Sequence, residues 1–577
     1  MVQTKHLSNY VIFGALSSTL FVLPILMDPV ALPKLFILSF FYGMILLILF
    51  RVRKKLFSSK INFIIYALVS YSLFLLLSGL IDNQGLYQIF MGTWGRNNGL
   101  FQVLFFAVLF LGSVVSIGVN FPKKIIQTLF LLGVFFSSYA WLQHFGRDPI
   151  TAILPWYKKD QPIVLTLGNS NFSSIFLAIT FTATCVTLLK PDSRNLTRII
   201  SILSLFSHFL LIRKIDTQGK ISFAVGFALV VFFYLFFNTS KLLKKISFVW
   251  GFTALLTGML GVTALFGIGP FADILSDNIR SLNDRYYAWL SAIKMMRDNP
   301  LFGVGIDNFV DSYRLYRLPE AYEIQTSQPF LDYDNAHNIF LNIGATAGIP
   351  CLLAYLSLII LVTYRGLLAI KNNQEKLIIG GVFSVWIVYL VNSIISVDNL
   401  GLSVWGWVSG GALVSMSISK DSLDLITETN PRINNIKQKS ISLAILFISF
   451  FPSFYIIPSL INENKIFNYI SNIPILNSRS EAEANLKELF MEAKATKQIG
   501  LRLVAIDYLG YANFLKESQE LSKISVIEFP NSFWAWEFLA RSYEIQGDKL
   551  LATPARQKTI ELDPLNIIIK QKLAVDN

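Results

Sequence analysis

Cysteine is nearly absent: Cys185 and Cys351 are the only two in 577 residues, and both fall inside apolar runs. That excludes a disulfide framework and a cysteine-based metal site. Histidine is scarce too, with four in the chain, and no second histidine lies three to five residues from His337. Asp332 and Asp334 beside it make an incomplete metal site, so no metal or other cofactor is expected. The third shortage is charge. Only 15% of residues are charged against 54% hydrophobic, and mean hydropathy is +0.55, which excludes an ordinary soluble enzyme and indicates an all-α polytopic membrane protein. A basic groove with stacking aromatics is also missing. The net charge of +13 is dispersed in short clusters between apolar runs, as membrane proteins mark their cytoplasmic side, so lipid rather than nucleic acid is the expected environment.

Mostly apolar windows of about 18 residues or more, long enough as helices to cross the hydrocarbon core, recur through the first 461 residues. They lie near 10–27, 30–50, 61–80, 99–120, 123–142, 170–189, 199–213, 221–238, 246–266, 339–364, 377–396, 403–418 and 441–461, thirteen in all. No Asp, Glu, Lys or Arg sits in the middle of one, which the cost of burying charge in lipid demands. Met1 to Lys5 and the apolar run after it lack a small-residue cleavage site, so they read as a retained first helix. With the N-terminus cytoplasmic, the inner segments carry 21 basic residues against 8 in the short outer ones. That asymmetry orients the chain in its membrane and places both the long segment 267–338 and the C-terminal region on the extracytoplasmic face.

The long segment holds six basic and ten acidic residues, so anion chemistry there must use particular arginines. Within it, Tyr286, Trp289, Leu290, Ile293 and Met296 follow the spacing of an amphipathic helix over Asp284 to Arg297, suited to the membrane interface, which Pro300 and Gly303 end. After 461 the chain becomes soluble in character, with 14 basic and 15 acidic residues over 462–577. Trp536, Leu539, Ala540, Tyr543, Ala552 and Pro564 fit one tetratricopeptide repeat over 533–566, and Pro530, 34 residues before Pro564, suggests a degenerate repeat upstream. Stacked helical repeats form protein-binding surfaces, so 462–577 is expected to dock a partner or present an acceptor.

His6, His208 and His144 lie near the terminus, within the seventh window and at the end of the fifth, where packing or interfacial roles are expected. His337 differs. It stands outside the membrane at the mouth of a span, in Tyr333-Asp334-Asn335-Ala336-His337-Asn338, where an imidazole can take a proton at neutral pH and a carboxylate such as Asp334 can orient it. Asp334, Asn335 or Asn338 can alternatively serve only to cap the helix starting near Ile339. Arg285, at the start of the interfacial helix, and Arg96, in Gly95-Arg96-Asn97-Asn98-Gly99, are the outer arginines placed to meet phosphates, or else lipid headgroups.

The ordered set Arg285-Tyr286-Tyr287-Ala288-Trp289-Leu290, then Asn299 to Phe309, then Ala336-His337-Asn338 and Gly344 to Pro350 resembles the signature of the O-antigen ligase family, which includes O-antigen polymerases and protein O-oligosaccharyltransferases. Gly168-Asn169-Ser170-Asn171-Phe172 is similar to the family's Gly-Asn-Pro-Asn element, and the resemblance covers most of 90–400. It implies a GT-C-like, metal-independent glycosyltransferase moving a glycan from undecaprenyl diphosphate to a hydroxyl of a glycolipid, protein or growing glycan. The histidine matching His337 would then act on the acceptor and the arginine matching Arg285 on the diphosphate. One position departs: where family members carry a second arginine, the turn reads Asp216-Thr217-Gln218-Gly219-Lys220, leaving Gln218 at the matching position and Lys220 or Arg213 as nearby charges. A lipid-glycan transporter and a non-catalytic scaffold are the competing readings; the former predicts mid-membrane ionisable residues, which are missing here.

Overall fold

The computed structural model describes residues 2–56, 61–116, 120–150, 162–191, 193–265, 279–324, 333–418, 436–472 and 479–576. Asp332 lies outside them, as do Lys60, Lys158, Lys159, Lys420 and Arg432 of the charge asymmetry. Among the described residues the secondary structure is helical, with no β-strand. Nine helices are long and apolar enough to cross a membrane, Leu100–Val115 is apolar but shorter, and Val2–Leu20, Lys241–Leu265 and Leu400–Ser417 underlie the remaining expected windows. The protein is thus an all-α polytopic membrane protein. Large apolar side chains stand out from the bundle, Phe63 at 76% exposure and Phe252 at 67%, an arrangement that only a lipid environment satisfies.

Contacts between loops sort the bundle into two ends. At one, Lys123 pairs with Glu375 at 2.7 Å and Lys124 donates to Asn9. At the other, the hydroxyls of Ser18 and Thr19 donate to the carbonyls of Leu400 and Gly401. This second end also gathers the 82–99 loop with Asp307 and Asp334.

The expected amphipathic helix extends over Ile279–Asp298, but its buried face is Ala288, Ser291, Ala292 and Met295, while Tyr286 and Ile293 are exposed. Small side chains let it lie close against the Ile339–Asn372 helix, which leaves Tyr286 and Ile293 facing outward, as in a helix whose larger apolar residues meet the membrane interface. Beyond it the chain locks into the same helix. Ile349 N–H donates to Pro300 O at 2.8 Å, and a Cβ on Gly348, whose φ is +85°, would come within 2.2 Å of Leu301 O. Gly348→Ala therefore loses on two counts, a left-handed backbone and a clash with main chain that has nowhere to move. We expect about 1–3 kcal/mol of destabilisation, read as a lower melting temperature in detergent.

The helix Ile436–Asn472 runs without a break from the last apolar window into the soluble region, so the boundary expected at 461/462 falls inside it. Helical hairpins follow: Ile499–Tyr511 with Leu515–Glu528, then Phe533–Ile545 with Lys549–Leu562. Leu539, Ala540, Tyr543 and Ala552 share one core in the second pair. This region sits against the membrane-domain loops. Trp94 Nε1 donates to Glu463 Oε1 at 3.0 Å, and Gln498 donates to the Tyr87 hydroxyl. Deeper still, Asp563 accepts from Arg314 at 2.8 Å and from Arg317, all three essentially buried, with the Arg314 guanidinium 3.8 Å from the centre of the Phe533 ring.

Candidate functional site

Amide side chains build the turn that carries His337. Asn338 is the N-cap of the Ile339–Asn372 helix, its Oδ1 accepting from Leu341 N–H at 3.0 Å, so the capping role expected of this stretch falls to it. Asn335 Oδ1 accepts from His337 N–H at 2.7 Å, its Nδ2 donates to Asp334 Oδ1, and Asn342 Oδ1 accepts from Ala336 N–H at 3.1 Å. Held this way, His337 takes a φ of +48°, a left-handed conformation that costs free energy and is found where surrounding bonds impose it. The imidazole meets the Tyr333 ring edge-on, with ring centroids 6.1 Å apart.

Asp334 joins this turn to a distant segment: its Oδ2 accepts from Arg96 Nε at 2.5 Å. The Arg96 loop is in turn fixed by Asp307, whose Oδ2 accepts from Thr93 N–H at 2.6 Å and whose carbonyl accepts from the Thr93 hydroxyl at 2.7 Å. Burial pushes the Asp307 carboxyl up to about 7, against the pull of the Thr93 N–H, and the Asp334 charge adds to the rise.

Arg285 meets the glutamine that stands where the resemblance anticipates arginine. Gln218, 4% exposed, turns its amide oxygen to the Arg285 guanidinium and accepts from both terminal nitrogens, from Nη1 at 2.6 Å. That orientation is the one satisfying both partners. Gln218 is held inward by the start of the Thr217–Phe236 helix: Asp216 N–H donates to Ser174 Oγ at 3.1 Å, and Gly219 packs so tightly on Ser174 that a Cβ would be 2.4 Å from that residue's own. The position thus supplies an acceptor that fixes the first arginine, in place of a second cation. Arg213 and Lys220 are exposed on the turn before and at the start of this helix.

Electrostatics follow from this gathering. Burial pushes the His337 imidazole down to about 4, and Arg285 and Arg96 press it further in that direction, with Asp334 opposing. At neutral pH the ring is therefore uncharged and able to accept a proton. Arg314 and Arg317 of the same long segment are engaged by Asp563, and Arg297 pairs with Asp298, so Arg285 is the loop arginine beside the histidine.

Asn169 caps the Ser170–Leu189 helix by accepting from Asn171 N–H at 2.8 Å, and it lines a cavity together with Arg96. His208 is buried, with Nδ1 2.7 Å from Ser204 O and Nε2 3.2 Å from the Thr180 hydroxyl, whereas His144 is exposed at the end of its helix and meets the Trp141 ring edge-on. Among the described residues no three His, Cys, Asp or Glu side chains cluster as metal ligands. Asp307 lies within the Asn299 to Phe309 motif, and a carboxylate two residues after the paired glycines of Gly303-Val304-Gly305 is the signal that marks such an anchor.

Residues 199–356 match the sequence model of the O-antigen ligase family, a span that contains Gln218, Arg285 and His337. The chain is similar to the teichuronic acid biosynthesis protein TuaE of Bacillus subtilis (strain 168), 24% identical over 324 residues that cover 52% of this chain and 61% of that protein. An uncharacterized protein of Haemophilus influenzae is 24% identical over 414 residues, 68% of this chain and 93% of its own length.

Proposed function

From the O-antigen ligase character of residues 199–356 we propose that this protein is a glycosyltransferase of surface polysaccharide assembly, moving a glycan from undecaprenyl diphosphate to an acceptor hydroxyl at the extracytoplasmic face of the bacterial inner membrane. The acceptor oxygen attacks the anomeric carbon, the bond from that carbon to the diphosphate oxygen breaks, the acceptor proton passes to the neutral His337, and the diphosphate leaves with its charge beside Arg285. One observation carries the reading: the His337 imidazole and the Arg285 guanidinium, the latter fixed by Gln218 from a helix far upstream, lie within electrostatic reach of each other at one end of the bundle. A preorganised cation at a developing anion is worth roughly 3 kcal/mol in such a site. A polymerase that extends a growing glycan is the second reading, and a relative named for teichuronic acid biosynthesis is compatible with either.

Arg285→Lys in proteoliposomes supplied with undecaprenyl-diphosphate-linked oligosaccharide raises the donor KM about tenfold and leaves the acceptor KM unchanged, because a point charge replaces a planar fork. Equal effects on both substrates overturn the diphosphate role. Gln218→Ala acts in the same direction and more weakly, by releasing the guanidinium from its fixed orientation rather than removing it.

A further inference from the structure

Beside the Arg96–Asp334 pair lies a cavity of about 360 Å³, at the lower end of the range of small-ligand sites, roughly 300–1,000 Å³. It is lined by the turn after the first helix, the Arg96 loop, the residues before the Ser170–Leu189 helix and the turn at 398–400. Its charges argue about the occupant. Three carboxylates, Asp28, Asp148 and Asp398, face two cations, and both cations are engaged: Lys34 Nζ donates to the carbonyls of Thr19 and Phe21, and Arg96 donates to Asp334. An anion entering here meets a net negative wall, and a purely apolar chain would strip these groups of water without replacing it.

The carboxylates are not equivalent. Asp28 accepts from the N–H groups of Val30, Ala31 and Leu32, and Asp148 from Tyr139, Gln143 and Ile150. Asp398 accepts from the Tyr389 hydroxyl at 3.2 Å and from the Ser403 side chain, two donors against three for each of the others, so it keeps the most capacity for further donors, since a carboxylate takes about four. The Trp94 indole adds an apolar wall. Hydroxyl donors in a ring with apolar C–H edges match a carboxylate acceptor next to an aromatic surface.

We propose that this cavity is a subsite for an uncharged sugar unit of the glycan substrate, with Asp398 accepting its hydroxyls and Trp94 flanking its apolar edge. The assignment to a substrate rests on the proposed transferase reading, because Arg96 in the cavity wall leads through Asp334 to the His337 turn.

Binding is measured directly on the full chain in nanodiscs by saturation-transfer NMR, with N,N′-diacetylchitobiose and cellobiose as uncharged probes and a glucuronate-containing disaccharide as the charged one. The uncharged probes bind, and the charged probe binds at least about fivefold more weakly. Asp398→Ala weakens the uncharged probes about tenfold, the factor a lost charge-assisted hydrogen bond carries, and Ala31→Trp, which fills the cavity, does the same. His337→Ala leaves this binding unchanged, so failure of the catalytic reading is distinguishable from failure of the subsite. Melting temperatures accompany each variant, and Asp398→Asn, which keeps the shape but removes the charge, carries the test if either other variant does not fold. In transfer assays the Asp398 variants raise the KM of the acceptor if the acceptor's sugar occupies the cavity, or of the donor if the donor's does. No binding by uncharged probes, a preference for the charged one, or binding indifferent to Asp398 and Ala31 overturns the proposal.

Discussion

His337→Ala lowers glycan transfer by about 10²–10⁴-fold while the protein stays folded and keeps its affinity for the lipid-linked donor, since a proton acceptor is lost and no cation is. Quantifying the glycan-linked product in proteoliposomes decides it, and full activity in the variant ends the catalytic assignment. The pH dependence sharpens the test. In the free enzyme burial and the two arginines hold the imidazole down to about 4, so the acid limb of kcat/KM for the acceptor falls near pH 4 instead of near the ordinary 6.5. A bound diphosphate offsets Arg285 and Arg96, raising that value, so the acid limb of kcat lies at higher pH than that of kcat/KM. Stability follows a separate course. A histidine with a lowered native value contributes stability that is present above pH 6.5 and lost as pH falls through about 4. Asp307, raised to about 7, contributes stability that is present below about 3.8 and lost as pH rises through 7. The two shifts oppose each other over the same window, so melting temperature changes little there in the native protein. In His337→Ala only the Asp307 contribution remains, and the variant gains stability on acidification relative to the native chain.

Asp563→Ala costs about 3–5 kcal/mol, the penalty for leaving buried charges without their partner. Here two guanidiniums, Arg314 and Arg317, share one carboxylate, and neither is more than 1% exposed. Asp563→Asn is milder, because the amide oxygen still accepts one hydrogen bond and the side chain still fits among Asn566 and the arginines. Limited proteolysis between the helical hairpins and the membrane domain, together with a melting curve, checks both variants; a melt indistinguishable from the native protein in Asp563→Ala means that the clamp contributes nothing. Transfer activity is expected to fall as well, since the helix Phe309–Tyr316 of the clamped segment follows Asp307, which fixes the Arg96 loop that pairs with Asp334 of the His337 turn.

Much of the bundle was legible from hydropathy alone, because each span states its own length and charge-free interior locally. The cap at Asn338 and the helix start at Ile339 were legible for the same reason. What was not legible depends on pairing across the chain. Arg96 and Asp334 are 238 residues apart, and nothing near either residue announces the other. Gln218 looked like a missing cation in sequence; in space it is the acceptor that orients Arg285. For the interfacial helix, periodicity marked the face of large apolar residues, while the close packing of Ala288 and Ala292 on a neighbouring helix depends on a partner that the spacing does not name.

The clamp also sets an order of assembly. Arg314 and Arg317 are synthesised 249 and 246 residues before Asp563, with four long helices made in between. Until the ribosome has reached the last hairpin, both guanidiniums wait in water, and the segment leading to His337 lacks its fastening. Loss of the Phe533–Ile545 and Lys549–Leu562 pair would therefore be felt near the middle of the chain, in a loop completed long before, and the nascent chain becomes competent only once Asp563 has been made.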